Sequence, residues 1–173
     1  MKRILLAASI AGLSACSSYQ VPDSPVFAAN SHWVIMPMAN HSNTPMAAEK
    51  VEKILNAQLY AKGIRATIYP ELNTNDLAVI IDDSAKRRQA QTWLASQPAD
   101  YIITGSVEEW HYKSGLDGEP AVGITLEIKS AKSKATLWRA TGSRGGWGRE
   151  SVSGTGHIVI DELLDGVNVE NLE

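Results

Sequence analysis

Residues 121–129 read AVGITLEIK, so Val122, Ile124, Leu126 and Ile128 alternate with Gly123, Thr125, Glu127 and Lys129. A period of two places the four aliphatic side chains on one face of an extended strand and the other set on the opposite face. Such a strand is dry on one side and wet on the other, which requires neighbouring strands and a covering layer. Residues 100–112 precede it, and residues 136–141 follow through a turn near Lys132 and Ser133. These three segments read as an antiparallel meander.

The rest of the chain supplies the cover. Residues 33–36 are a short apolar run stopped by Pro37, and residues 64–69 are rich in β-formers and end at Pro70. Between them Ala47, Ala48, Val51, Ile54, Leu55 and Leu59 recur at helical spacing, with Thr44 at the N-cap, Pro45 at the first helical position and Lys62-Gly63 closing the element. A second helix, capped by Asp82 or Ser84, runs to Gln97 with Ala85, Ala90, Trp93 and Leu94 on one face. A third runs from Ser151 or Ser153 to Leu164, with Ile158, Leu163 and Leu164 inward. The order β-α-β-α-β-β-β-α predicts an α+β sandwich, a mixed and largely antiparallel sheet with helices on one face. With 44% hydrophobic residues in 173, one such domain over residues 32–173 accounts for the chain.

The N-terminus carries Lys2 and Arg3, then an uncharged run from 4 to 15 that is shorter than the roughly 20 apolar residues needed to span a bilayer. Residues 1–15 therefore read as a signal peptide. Its end, Leu13-Ser14-Ala15-Cys16, resembles a bacterial lipobox, which implies a diacylglycerol on Cys16 and an acylated amine after cleavage. Cys16 is the sole cysteine, so no internal disulfide can form. Several acyl chains give a stable membrane anchor without a spanning helix. Ser17 stands where an Asp would signal retention in the inner membrane, which favours the outer membrane and its periplasmic face. Residues 16–31, with Pro22, Pro25 and several serines, read as a lipidated flexible tether.

Residues 34–40 (VIMPMAN), Thr44-Pro45 and an Ala-rich helix ending at Gly63 resemble the opening of periplasmic lipoproteins related to the TolB amino-terminal domain, which include CsgG and LpoB. Residues 104–113 (TGSVEEWHYK), 115–123 (GLDGEPAVG), Leu137-Trp138 and 145–151 (GGWGRES) resemble the PelC family within that group. The resemblance implies a non-enzymatic lipoprotein of a Gram-negative apparatus exporting Pel, a cationic exopolysaccharide of biofilms. It further implies a dodecameric ring under the outer membrane, beside the β-barrel exporter PelB. There an acidic surface guides the polymer and an exposed Trp, here Trp147, meets the lipid.

The residues themselves bear on these roles. Gly146 and Gly148 leave the Trp147 indole little cover, indoles favour the bilayer interface, and Arg144 and Arg149 are placed to pair with lipid phosphates. The competing reading is a core Trp closing a strand end. Asp117 and Glu119 flank Gly118 in a turn, with Glu108 and Glu109 upstream. Repeated around a homo-oligomeric ring, these carboxylates would sum to a field that concentrates a cationic polymer; in a single chain they are ordinary solvated turn chemistry. Trp110, Tyr112 and Trp138 lie on strands and read as either a sugar-stacking platform or core, whereas Trp33 and Trp93 read as core.

Other classes fit poorly. A net charge of −3 lacks the basic excess of a nucleic-acid binder. His32, His41, His111 and His157 have no metal-ligand spacing, the glycine stretches lack phosphate-loop and dinucleotide fingerprints, and no serine sits in a nucleophile elbow. Adjacent carboxylates such as Glu108 and Glu109, as sequence neighbours on opposite strand faces, do not establish the roughly 5 to 9.5 Å separation of a glycosidase acid pair. No catalytic residue, metal or cofactor is expected. The alternative from another class is an LpoB-like activator of a peptidoglycan synthase, against which the short tether argues.

Overall fold

The computed structural model describes residues 17–70, 83–114, 118–147 and 149–171. The signal peptide 1–15, Cys16, the Asp82 cap and Asp117 lie outside the described residues. The strands are β1 (Ser17–Gln20), β2 (Phe27–Ala28), β3 (Trp33–Ile35), β4 (Ala39–Asn40), β5 (Ala66–Ile68), β6 (Tyr101–Tyr112), β7 (Pro120–Ser130), β8 (Thr136–Gly145) and β9 (Val169–Glu170). The helices are α1 (Ala47–Ala61), α2 (Asp83–Leu94) and α3 (Val152–Leu164). A seven-stranded sheet runs β1-β8-β7-β6-β3-β5, with β4 also on β6, and β2 and β9 form a small parallel pair. The β6-β7-β8 meander is antiparallel, as its alternation predicts, while β3 is parallel to both β5 and β6. This is the mixed α+β architecture expected.

The dry face of the meander, Val122, Ile124, Leu126 and Ile128, joins Trp138 and Ala140 of β8 under α1 and α3. Helix α1 buries Ala47, Ala48, Val51, Leu55 and Leu59. It ends as its Gly63 predicts: Gly63 has φ 86°, its N–H reaches Tyr60 O at 3.1 Å, and the Ile64 N–H reaches Leu59 O at 2.9 Å. That pairing satisfies the last carbonyls and packs Ile64 on Leu59. At its start the expected Thr44 cap is absent; left-handed Met46 precedes the helix, and the Thr44 hydroxyl donates to Trp110 O instead. The cap of α3 is Ser151, whose Oγ accepts the Gly154 N–H at 3.0 Å. Leu163 and Leu164 point inward as expected, but Ile158 is 37% exposed because Val159 and Ile160 take the core side.

Two larger expectations also fail. The helices do not all share one face, because α2 covers the opposite side, where Ala90 packs with Val34, Met36, Tyr69 and Ile102. Parallel strands are buried on both faces, so the run from 33 to 36 feeds both layers. Nor is 17–31 a flexible tether. β1 pairs with β8 over its whole length, and β2 pairs with β9. Phe27, 1% exposed, stacks edge-on against Trp33 and Tyr101 at centroid distances of 5.6 and 5.1 Å. The prolines and serines read as linker are stitched in place: Trp138 Nε1 donates to Pro22 O at 2.7 Å, and Ser24 bonds Asn168 and Gly166. Strand β8 likewise extends beyond residue 141, since residues 142–144 are paired by β7 on one side and β1 on the other.

Candidate membrane-facing end and acidic groove

Register brings three sequence-distant features to one end of the sheet. Ser17 lies opposite Arg144, Ala121 opposite Gly145, and Tyr112 opposite Pro120. The start of β1, the β6–β7 connection and the segment after β8 therefore emerge together. Ser17, which follows the expected acylation site Cys16 in the sequence, begins β1 at this end.

The segment after β8 is a braced turn. Gly146 is buried, and its N–H reaches Pro120 O at 2.8 Å. A Cβ there would stand 2.6 Å from Pro120 Cγ and 2.7 Å from Thr155 Oγ1, so only glycine lets the turn sit this close to β7 and α3. The Glu150 N–H closes the turn on Trp147 O at 2.8 Å, and Glu150 accepts from Thr155 Oγ1 at 3.3 Å. Trp147 projects from this support and is 53% exposed, which sets aside its reading as a core residue. Arg149 is also exposed. Arg144 instead turns to the helix side and pairs with Glu150 at 3.5 Å, so its guanidinium braces the turn. Trp110 is 3% exposed and Trp138 is buried, which leaves Tyr112 alone at the surface and removes the aromatic platform. Trp33 is core, and Trp93, on α2, is half-buried against the cluster beneath that helix.

The acidic residues divide. A bulge in β6 shifts register so that Val107 faces Ile124 while Glu109 faces Gly123, leaving Glu108 as the extra residue. The bulge overturns the expectation that Glu108 and Glu109 point to opposite faces: both are exposed, and both Cβ atoms lie about the same distance from a Cβ built on Gly123, at 3.5 and 3.6 Å. They line a groove of about 390 Å3 on the wet face, with Ser18, Gln20, Thr141 and Ser143. Ser106 Oγ donates to Glu108. Glu119 is partly offset by Lys113 at 3.6 Å. Farther along the same face Glu127 bridges Lys129 at 2.7 Å and Arg139 at 2.5 Å. Burial pushes its carboxyl up, but bonds and charge from those two cations prevail and hold it below the usual glutamate value.

One polar cluster escaped the sequence reading. Glu52 on α1 is 2% exposed, accepting the Met38 N–H at 2.8 Å and the Tyr69 hydroxyl at 2.8 Å. Burial, the dominant cause, raises its carboxyl above the usual value despite those bonds and nearby Lys86. Lys86 of α2 bonds Glu49 at 2.7 Å, so the cluster ties α1 to α2 around the edge of the sheet. Glu52 sits within an amphipathic helix at a position adjoining Val51, and only its place on the buried arc could have marked it. Among the described residues no three His, Cys, Asp or Glu side chains gather as metal ligands, and no helix is long and apolar enough to cross a membrane.

No protein-family model matches the sequence, and no curated protein does. Among solved structures, a PelC dodecamer from Paraburkholderia phytofirmans matches at 32% identity with TM-score 0.74, covering 89% of this chain and 99% of that one. The chain belongs to the PelC family. A lipoprotein from Neisseria meningitidis shares the fold at 11% identity and TM-score 0.53, over 78% of this chain and 96% of that one. The LpoB C-terminal domain from Salmonella enterica is more distant than PelC, at 12% identity and TM-score 0.44 over 69% of this chain and 86% of that one.

Proposed function

We propose that this protein is an outer-membrane lipoprotein of a Pel-type polysaccharide export apparatus, acylated at Cys16, with its fold on the periplasmic face. Membership of the PelC family carries the reading, since identity of 32% extends over 89% of the chain. The relative is a dodecamer, and we take this chain to be a homo-oligomer as well, arranged as a ring beside a β-barrel exporter of the PelB type. Its work is non-catalytic: Glu108 and Glu109, with Asp117 and Glu119 contributing, raise the local concentration of a cationic exopolysaccharide near the barrel. Trp147 enters the lipid boundary with Arg149 at the headgroups, while Arg144 holds the turn. β1 begins directly after Cys16. The absence of slack there suits a membrane-proximal export part better than an activator reaching through the cell wall.

The test pairs export with membrane depth. Cys16→Ser should release the protein from the outer membrane and stop polymer release. Trp147→Ala should weaken binding of the unacylated chain to anionic vesicles by about tenfold, the scale of ~1.4 kcal/mol for an indole moved out of an apolar boundary. Vesicle binding and export both unchanged in Trp147→Ala would remove the membrane-contact role. Unchanged export in Glu108→Gln/Glu109→Gln at low salt would remove the guiding role.

A further inference from the structure

At the end of the sheet away from Trp147, on the face covered by α2, lies a second groove of about 590 Å3. Its floor is apolar, with Met36, Leu94 and Ile102. Its rim is basic, with Arg87, Lys129 and Lys134. Lys129 is shared with Glu127, but neither Arg87 nor Lys134 has an ion-pair partner among the described residues. The other side of the molecule shows the converse. α3 starts beside the Trp147 turn and runs toward this far end, and its outward arc places Ile158, 37% exposed, one turn before exposed Asp161 and Glu162. Neither acid has an ion-pair partner among the described residues.

We infer that the outward arc of α3 in one copy seats in the α2–β7 groove of the next, Ile158 on the apolar floor and Asp161 and Glu162 against Arg87 and Lys134. The inference rests on the homo-oligomeric reading above and assigns its contact surfaces. Charge is complementary, and each side offers an apolar centre with a charged border, the anatomy of a protein interface. Placement agrees as well. The two surfaces differ, so the contact is heterologous, and a heterologous contact closes into a ring when the rotation between successive copies closes. In a ring of twelve, successive copies turn by about 30°, which demands contact surfaces on nearly opposite sides of each copy. α3 and the groove lie on opposite faces of one sheet.

Charge exchange tests this with the full-length acylated chain in detergent, read by native mass and sedimentation, with circular dichroism to establish folding. Arg87→Glu/Lys134→Glu and Asp161→Lys/Glu162→Lys should each raise the concentration for half-assembly by about tenfold or more. An equimolar mixture of the two should assemble again, because every groove then meets an arc of opposite charge in an alternating ring. Either folded variant assembling at the wild-type concentration, or a mixture that stays dissociated, overturns the assignment. A wild-type chain that remains monomeric overturns the homo-oligomeric reading itself, and the interface with it.

Discussion

Gly156 stands in the middle of α3, where replacing glycine with alanine ordinarily stabilises a helix by about 1 kcal/mol. Here the sign should reverse. A Cβ on Gly156 would lie 2.4 Å from Cη2 and 2.6 Å from Cζ3 of Trp110, more than 1 Å inside carbon contact. The indole cannot swing away, since it is 3% exposed and packed in the main core. Overpacking of this kind costs about 1–3 kcal/mol, and a gap this short belongs in the upper part of that range. Subtracting the helix gain leaves Gly156→Ala less stable by about 1–2 kcal/mol. Trp110→Phe removes the atoms that clash, so the same substitution in that background should recover most of the loss. Guanidinium unfolding of all four chains at one fixed protein concentration gives the coupling directly. Gly156→Ala raising stability by about 1 kcal/mol, or acting equally in both backgrounds, would refute the claim that close approach of α3 to β6 sets this residue.

Gly146→Ala meets Glu150 and Thr155 side chains that can turn, as well as the Pro120 ring; it should cost less, about 1 kcal/mol, while shifting Trp147 fluorescence as the turn moves, and an unchanged spectrum would count against the bracing. Burial holds the Glu52 carboxyl above its usual 4.5, so the folded chain keeps that proton longer than the unfolded one. Stability from this group is complete below 4.5 and declines as pH rises through the folded value. Glu52→Gln, which retains an acceptor for Met38, should therefore gain on the wild type as pH is raised from 4.5 toward neutrality; parallel urea-unfolding profiles would exclude the raised carboxyl.

Legibility in the sequence followed the range of the interactions. The meander strands, the Gly63 stop and the Ser151 start depend on neighbours within a few residues, and their patterns are periodic or local. Segment 17–31 shows the opposite case. Ser24 donates its hydroxyl to the adjacent Pro25 O at 2.7 Å, but the bonds that fix the segment go to Asn168 and Gly166, more than 140 residues away. The bulge left a signal: Ile103, Gly105 and Val107 keep a step of two, then Trp110 comes three later. That break puts one extra residue between inward positions, and it is why two adjacent glutamates share a face. The opposite placement of α2 was hidden because its partners Val34, Met36 and Ile102 interleave with Ile35 and Ile103, which pack the other way.

The two charged regions of the α2-bearing face act independently. Glu109 pairs across the sheet with Gly123, and Lys129 lies six positions farther along β7, about 20 Å at ~3.3 Å per residue. The screening length at physiological salt is about 8 Å. An acidic region near the Trp147 end and a basic rim at the far end therefore do not cancel, although one short chain carries both. Glu127 reinforces the division, because its carboxylate lies between them and is already taken up by Lys129 and Arg139. Neutralising Glu108 and Glu109 should then leave assembly unchanged, and reversing Arg87 and Lys134 should leave vesicle binding of the single copy unchanged. If either charge change moved the other property, one surface would have to serve both the polymer and the neighbouring copy, and the near-end and far-end roles assigned here would merge.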